Sequence, residues 1–272
     1  MRRAFAALAF AIAAAAQAAD PVAFVADLKG NATIEGDGKV VFLAELAPGT
    51  RLLLGTGASL SITYASTGDE FTIGGPGEFL VTPNEVRVEK GATPTRRRVV
   101  ALADPGIVAR VSRTATASLR MRGLVPGADT KALLQYPVET RVVSLQPELR
   151  WRAEAPAEGF TVVLLDAKGK EVWKGNSAPQ TARPPVRLSP ATSYKWTVMT
   201  PKGAIGEARF ETLPAAALAK LEKSRASARS FSDRVMHAFL LQDLGATQDA
   251  KTAWGALAAE RPELPELAAL AR

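Results

Sequence analysis

The sequence has no cysteine and a single histidine, His237. Without cysteine there are no disulfides, thiolate nucleophiles, iron–sulfur clusters or cysteine-type zinc sites. One histidine removes the multi-histidine metal centres. Nucleotide fingerprints are missing too. Gly74-Gly75-Pro76-Gly77 is glycine-rich, but it does not open a helix and so presents no helix N-terminus to a phosphate. Gly36-Asp37-Gly38 and Thr67-Gly68-Asp69 lack the several spaced oxygen ligands of a calcium loop. No cofactor and no metal is expected. Charge of one sign is also scarce: 34 basic residues face 27 acidic ones, a mild excess that fits a soluble basic surface.

The 272 residues, 47% of them apolar, are enough for two or three packed cores. Arg2 and Arg3 precede an apolar run from Ala4 to Ala16, and Ala16-Gln17-Ala18 has the small-x-small pattern of a signal-peptidase site. The run is shorter than the roughly 20 residues a membrane span needs. A secretory signal over residues 1–18, cleaved after Ala18, is therefore expected, with a periplasmic mature chain and no transmembrane segment after cleavage. No cysteine follows for lipid attachment. Export argues against nucleic acid as a partner.

Residues 22–90 alternate with period two. Leu60, Ile62 and Tyr64 share one face of Ser59–Tyr64, and Phe71 with Ile73, Phe79 with Val81, and Val86 with Val88 repeat the pattern. Glycine-bearing turns separate these half-buried strands, so an antiparallel β domain is predicted. The order Val22–Ala26, Gly30, Asn31–Glu35, then Leu46-Ala47-Pro48-Gly49-Thr50-Arg51-Leu52, Leu54-Gly55-Thr56-Gly57-Ala58 and Ser59–Tyr64 ahead of Gly68 resembles the FecR-type domain of bacterial envelope proteins. That domain is placed at residues 19–125. Arg96-Arg97-Arg98 reads as a turn or linker after Pro94. Val99–Leu102, Val108–Val111 and Ala117–Arg120 read as further strands, and residues 123–129 as a linker.

A second β pattern occupies residues 134–213. Leu149 and Trp151 share a face. Phe160–Leu165 runs through the turn Asp166–Lys170 into Glu171-Val172-Trp173, and Tyr194, Trp196 and Val198 alternate inward. Trp151 and the L-x-P-x-x-x-Y-x-W-x-V run at Leu188–Val198 resemble a fibronectin type III or Ig-like sandwich. The resemblance implies that the Tyr194 hydroxyl bonds back to the chain just upstream.

Past Pro214 the composition turns helical. Ala215–Ser230 is rich in alanine, leucine and charge. Val235, Met236, Phe239, Leu240 and Leu244 then form a stripe, Gly245 closes that helix, and Thr247 is placed to cap the next. Ala250, Ala253, Trp254 and Leu257 make an apolar face that ends at Pro262. The run from Leu244 to Pro262 resembles one tetratricopeptide-like helical hairpin, within a tail over residues 215–272. The fold class expected is mainly β: a FecR-like β domain, an Ig-like or fibronectin type III sandwich, and a short α-helical hairpin.

Candidate sites are few. His237 has Ser232 and Asp233 nearby in sequence, but residues five apart do not share a helix face, so His237 is expected to be dispensable. Asp69-Glu70 reads as a solvated turn. Arg96, Arg97 and Arg98 could contact an anionic polymer, against the plainer reading of a solvated loop. Val235, Met236, Phe239, Leu240, Trp254 and Leu257 form more apolar surface than a lone helix pair covers, so they are expected to be buried either on the preceding sandwich, as a cap, or on a partner or second copy of the chain, with docking on another chain favoured. These readings together indicate a periplasmic, non-enzymatic binding or scaffolding protein that engages envelope proteins or glycans. The alternatives are an envelope glycan hydrolase, which needs two acids across a cleft, and a FecR-type signalling or regulatory protein.

Overall fold

The computed structural model describes residues 20–99, 134–153 and 159–272. The expected signal peptide, the predicted strands Val108–Val111 and Ala117–Arg120, and the linker at 123–129 lie outside the described residues. The chain is mainly β, with helices at its C-terminal end.

Among the described residues the first unit has ten strands: β1 Ala23–Lys29, β2 Ala32–Ile34, β3 Gly38–Lys39, β4 Glu45–Leu46, β5 Arg51–Leu54, β6 Ser59–Tyr64, β7 Asp69–Gly74, β8 Gly77–Val81, β9 Val86–Lys90 and β10 Thr95–Arg98. They make two five-stranded antiparallel sheets, ordered β10-β7-β6-β1-β4 and β3-β2-β5-β8-β9. Side chains from both sheets, among them Val25, Leu52, Leu60, Ile62, Tyr64 and Phe79, share one core. Alternation dictates this: Leu60 and Ile62 face inward while Ser61 between them is less buried. Gly30 is needed where it sits. Its φ is +73°, and a Cβ there would come 2.9 Å from Ala58 Cα.

The triplet Arg96–Arg98 is not a loop. It is most of β10, the end strand of its sheet among the described residues, whose Arg97 stands opposite Glu70 of β7. Edge strands commonly carry charged residues. Asp69 and Glu70 are likewise not a solvated turn: they open β7 and both are buried.

The second unit holds β11 Leu134–Tyr136, β12 Thr140–Val142, β13 Leu149–Trp151, β14 Phe160–Asp166, β15 Glu171–Ser177, β16 Thr181–Ala182, β17 Ser193–Thr200 and β18 Gly203–Thr212. Its sheets run β11-β13-β16 and β12-β18-β17-β14-β15. Trp151, Phe160, Trp196, Tyr194 and Phe210 fill the core between them. Asp166 shapes the β14–β15 turn by accepting from the N–H groups of Lys168 (2.8 Å) and Lys170 (3.0 Å). The Tyr194 hydroxyl accepts from Ser189 N–H at 2.9 Å, the upstream backbone bond expected of it. Trp196 Nε1 donates to Pro137 O at 2.8 Å, so its indole is buried with its polar atom satisfied.

The tail is helical, as expected, and consists of α1 Ala215–Ser227, α2 Phe231–Asp243, α3 Thr247–Glu260 and the short α4 Pro265–Leu270. Ser230 caps α2 in a reciprocal capping box with Asp233. Gly245, at φ +80°, closes it. Thr247 does not cap α3. Ala246 holds the cap position, and the Thr247 hydroxyl lies 3.0 Å from that of Thr140 in β12.

Candidate functional site

Arg97 is the most connected side chain of the basic triplet. Two of its nitrogens lie 2.7 and 2.8 Å from Glu70 Oε1. Its Nη1 donates to Asp233 Oδ1 at 2.6 Å, and its Nη2 donates to the hydroxyls of Ser230 and Ser232 at 2.9 and 3.0 Å. Strand β10 of the first unit is thus tied to the N-terminus of α2. Burial pushes the Glu70 carboxyl above its usual range, with Arg97 opposing the shift. Burial works to raise Asp233 as well. There it is outweighed by hydrogen bonds from Arg97 and from the Ser230 and Arg229 N–H groups, which hold the carboxyl below its usual range. Arg96 pairs with Asp69 at 2.8 Å, and Arg98 donates to Thr67 O at 3.2 Å. The triplet expected to meet an anionic polymer is therefore engaged within the chain, Arg97 most of all.

The stripe expected to dock a partner is also turned inward. Val235, Met236, Phe239, Leu240, Trp254 and Leu257 are all buried, in a core with Phe24 and Ala26 of β1, Phe42, Leu43, Val99 and Leu213. Of the two options, burial within the chain is the one seen, and docking of this stripe on another chain is corrected; the covering surface is the first unit rather than the sandwich just before the tail. Phe239 and Trp254 meet edge to face at 4.8 Å. Arg261, past the end of α3, pins the far side. It reaches Asp27 Oδ1 at 2.7 Å and Leu28 O at 2.6 Å, where β1 shifts register, and its guanidinium lies 4.9 Å from the centre of the Phe231 ring.

The same helices hold the second unit. Gln248 accepts from Val138 N–H and donates to Gln135 O, both at 2.8 Å. Tyr136 donates to Asp249 at 3.1 Å. Arg141 N–H donates to Gly245 O at 3.1 Å. Burial raises the pKa of both Tyr136 and Asp249.

Two hollows flank this junction. One, of about 680 Å³, has Glu139, Arg141, Asp166, Lys195 and Glu211 among its lining residues. Asp166 is held by its own turn and Glu211 by Arg141 at 3.1 Å. The other, of about 510 Å³, lies between the second unit and the helices, with an apolar floor and a polar rim. His237 lines it. Its Nδ1 lies 3.1 Å from Ser224 Oγ on α1, and burial lowers its pKa. Ser232 and Asp233 engage Arg97 instead of His237. Among the described residues there is no group of three or more His, Asp or Glu able to hold a metal.

Sequence reasoning missed the Glu70–Arg97–Asp233 hub and Arg261. One signal was present: Ser230-x-x-Asp233 just ahead of an apolar run is a capping-box spacing. Nothing local connects either residue to a strand more than 130 residues earlier.

No family model matches the chain, and no curated protein matches it. Among solved structures, the crystal structure of CopC from Methylosinus trichosporium OB3b aligns with 31% of this chain and 96% of its own, at 21% identity and a TM-score of 0.25. A likeness this low informs neither fold nor function.

Proposed function

We propose that this chain is an exported envelope protein that binds or scaffolds other envelope components, proteins or glycans, without catalysing a reaction. The FecR-type, fibronectin type III and tetratricopeptide-like resemblances belong to the same proposal. What carries the reading is the tail, which clamps two β units through Arg97, Arg261, Tyr136 and Gln248. A body braced in this way holds surfaces on separate modules in fixed relation, as a scaffold requires. No helix among the described residues is long and apolar enough to cross a membrane.

Export is tested by N-terminal sequencing of protein from a periplasmic fraction, which should begin at Ala19; an intact Met1 on membrane-bound material contradicts it. Binding is tested by co-sedimentation with purified peptidoglycan sacculi and by crosslinking in cells, with turnover of peptidoglycan fragments followed in parallel. Retention on sacculi or a reproducible envelope crosslink, without turnover, supports the reading. Release of soluble fragments by the pure protein would replace it with a hydrolase.

A further inference from the structure

The hollow between the second unit and the helices is built like a binding site. Its floor is Val143, Leu145, Leu218, Leu221 and Leu241, contributed by three separate segments of the chain. At about 510 Å³ it falls within the roughly 300–1,000 Å³ of small-molecule pockets, which favour such junctions. The charged groups that line it are Arg187, Glu222, Arg225, His237 and Asp249.

Most of these are already engaged. Glu222 accepts from Arg225 through both its oxygens, at 2.9 to 3.2 Å, so that pair is neutral overall. Asp249 accepts from the Tyr136 hydroxyl and keeps its carboxylate charge, which the Arg150 guanidinium, 5.0 Å from the centre of the Tyr136 ring, partly offsets. His237 is tied to Ser224 and, with burial holding its pKa down, is uncharged at neutral pH. Arg187 is exposed, and its guanidinium has no ion pair or hydrogen bond among the described residues. An apolar floor under one uncommitted guanidinium complements a molecule with an apolar body and one negative charge.

We propose that this hollow binds a single-chain amphiphilic monoanion of the fatty-acid class, its chain over the leucines and its carboxylate on Arg187. Arginine suits the role because its planar fork meets a carboxylate bidentately. The site does not depend on the export reading.

The test is calorimetric titration of the purified full chain with decanoate, below its micellar range. Decyltrimethylammonium serves as the probe with the same chain and opposite charge. Two variants accompany the wild type. Arg187→Ala removes the anchor. Ala219→Trp fills the hollow from an exposed position of α1, so it replaces no core residue. The expected result is saturable 1:1 decanoate binding, weaker by about tenfold or more in Arg187→Ala, and lost in Ala219→Trp with an unchanged circular dichroism spectrum. The cationic probe should bind at least about tenfold more weakly than decanoate. No saturable heat with decanoate, equal binding of the two probes, or affinity unchanged in both variants would overturn the assignment.

Discussion

Arg97 shows how one side chain can join two parts of a chain. Its carboxylate partner Glu70 is only 1% exposed. Removing the guanidinium leaves a buried acid unpaired and takes a partner from Asp233. Breaking a fully buried pair costs roughly 3–5 kcal/mol. Arg97 is itself about a third exposed, and water screens it, so Arg97→Ala should cost less, about 2 kcal/mol by urea denaturation. Adding Glu70→Gln to that variant should recover part of the loss, because the stranded charge is then gone. An Arg97→Ala transition that coincides with wild type contradicts the hub. His237 gives a second check, through pH. Burial lowers its folded pKa below the ordinary 6.5, so the folded chain binds fewer protons than the unfolded one. Its contribution to stability is complete above that unfolded value and is lost as pH falls through the folded one. Glu70, raised by burial, works in the opposite sense, so the informative quantity is a difference between proteins. Between pH 7.5 and about 5.5, wild type should lose more stability than His237→Gln. Equal losses would show that His237 does not carry the effect.

Among the elements, those with plain alternation were the most legible. Leu60-x-Ile62-x-Tyr64 and Tyr194-x-Trp196-x-Val198 read as half-buried strands, and β6 and β17 are such strands. Trp196→Ala should accordingly cost roughly 3–5 kcal/mol, the range for deleting a large core aromatic; a thermal melt unchanged from wild type would refute its place in the core. Strand β10 was illegible because Thr-Arg-Arg-Arg has no apolar residue to alternate, and its partners lie on β7 and α2. Strand β1 carried a signal of another kind. Its first four residues, Ala23 to Ala26, are all apolar and all buried. Val25 points into the sandwich core, and Phe24 and Ala26 point out of it, under the helices. A continuous apolar run of this sort marks a strand covered on both faces, so something had to lie over the outer face of the first unit. What covers it stands some 200 residues later, and no spacing rule reaches that far.

Across the whole molecule, the helical tail is where an expectation from composition and the folded outcome diverge most. A lone helical hairpin does need a surface to cover its stripe, and that part of the reasoning holds. The surface is the chain's own first unit, reached by passing over the second unit, which the same helices grip through Gln248 and Tyr136. The site residues were illegible for the same reason: Arg187 and Leu218 become neighbours of one hollow only because the tail folds back. The most direct measurement is a thermal melt of the chain truncated after Leu213, beside the full chain, with a dye that reports exposed apolar surface. Truncation uncovers Phe24, Ala26, Phe42 and Leu43. The expected result is a melting temperature lower by more than about 5 °C together with new dye binding at room temperature. A truncated chain that melts with the full-length protein and binds no dye would show that the tail is not an internal brace.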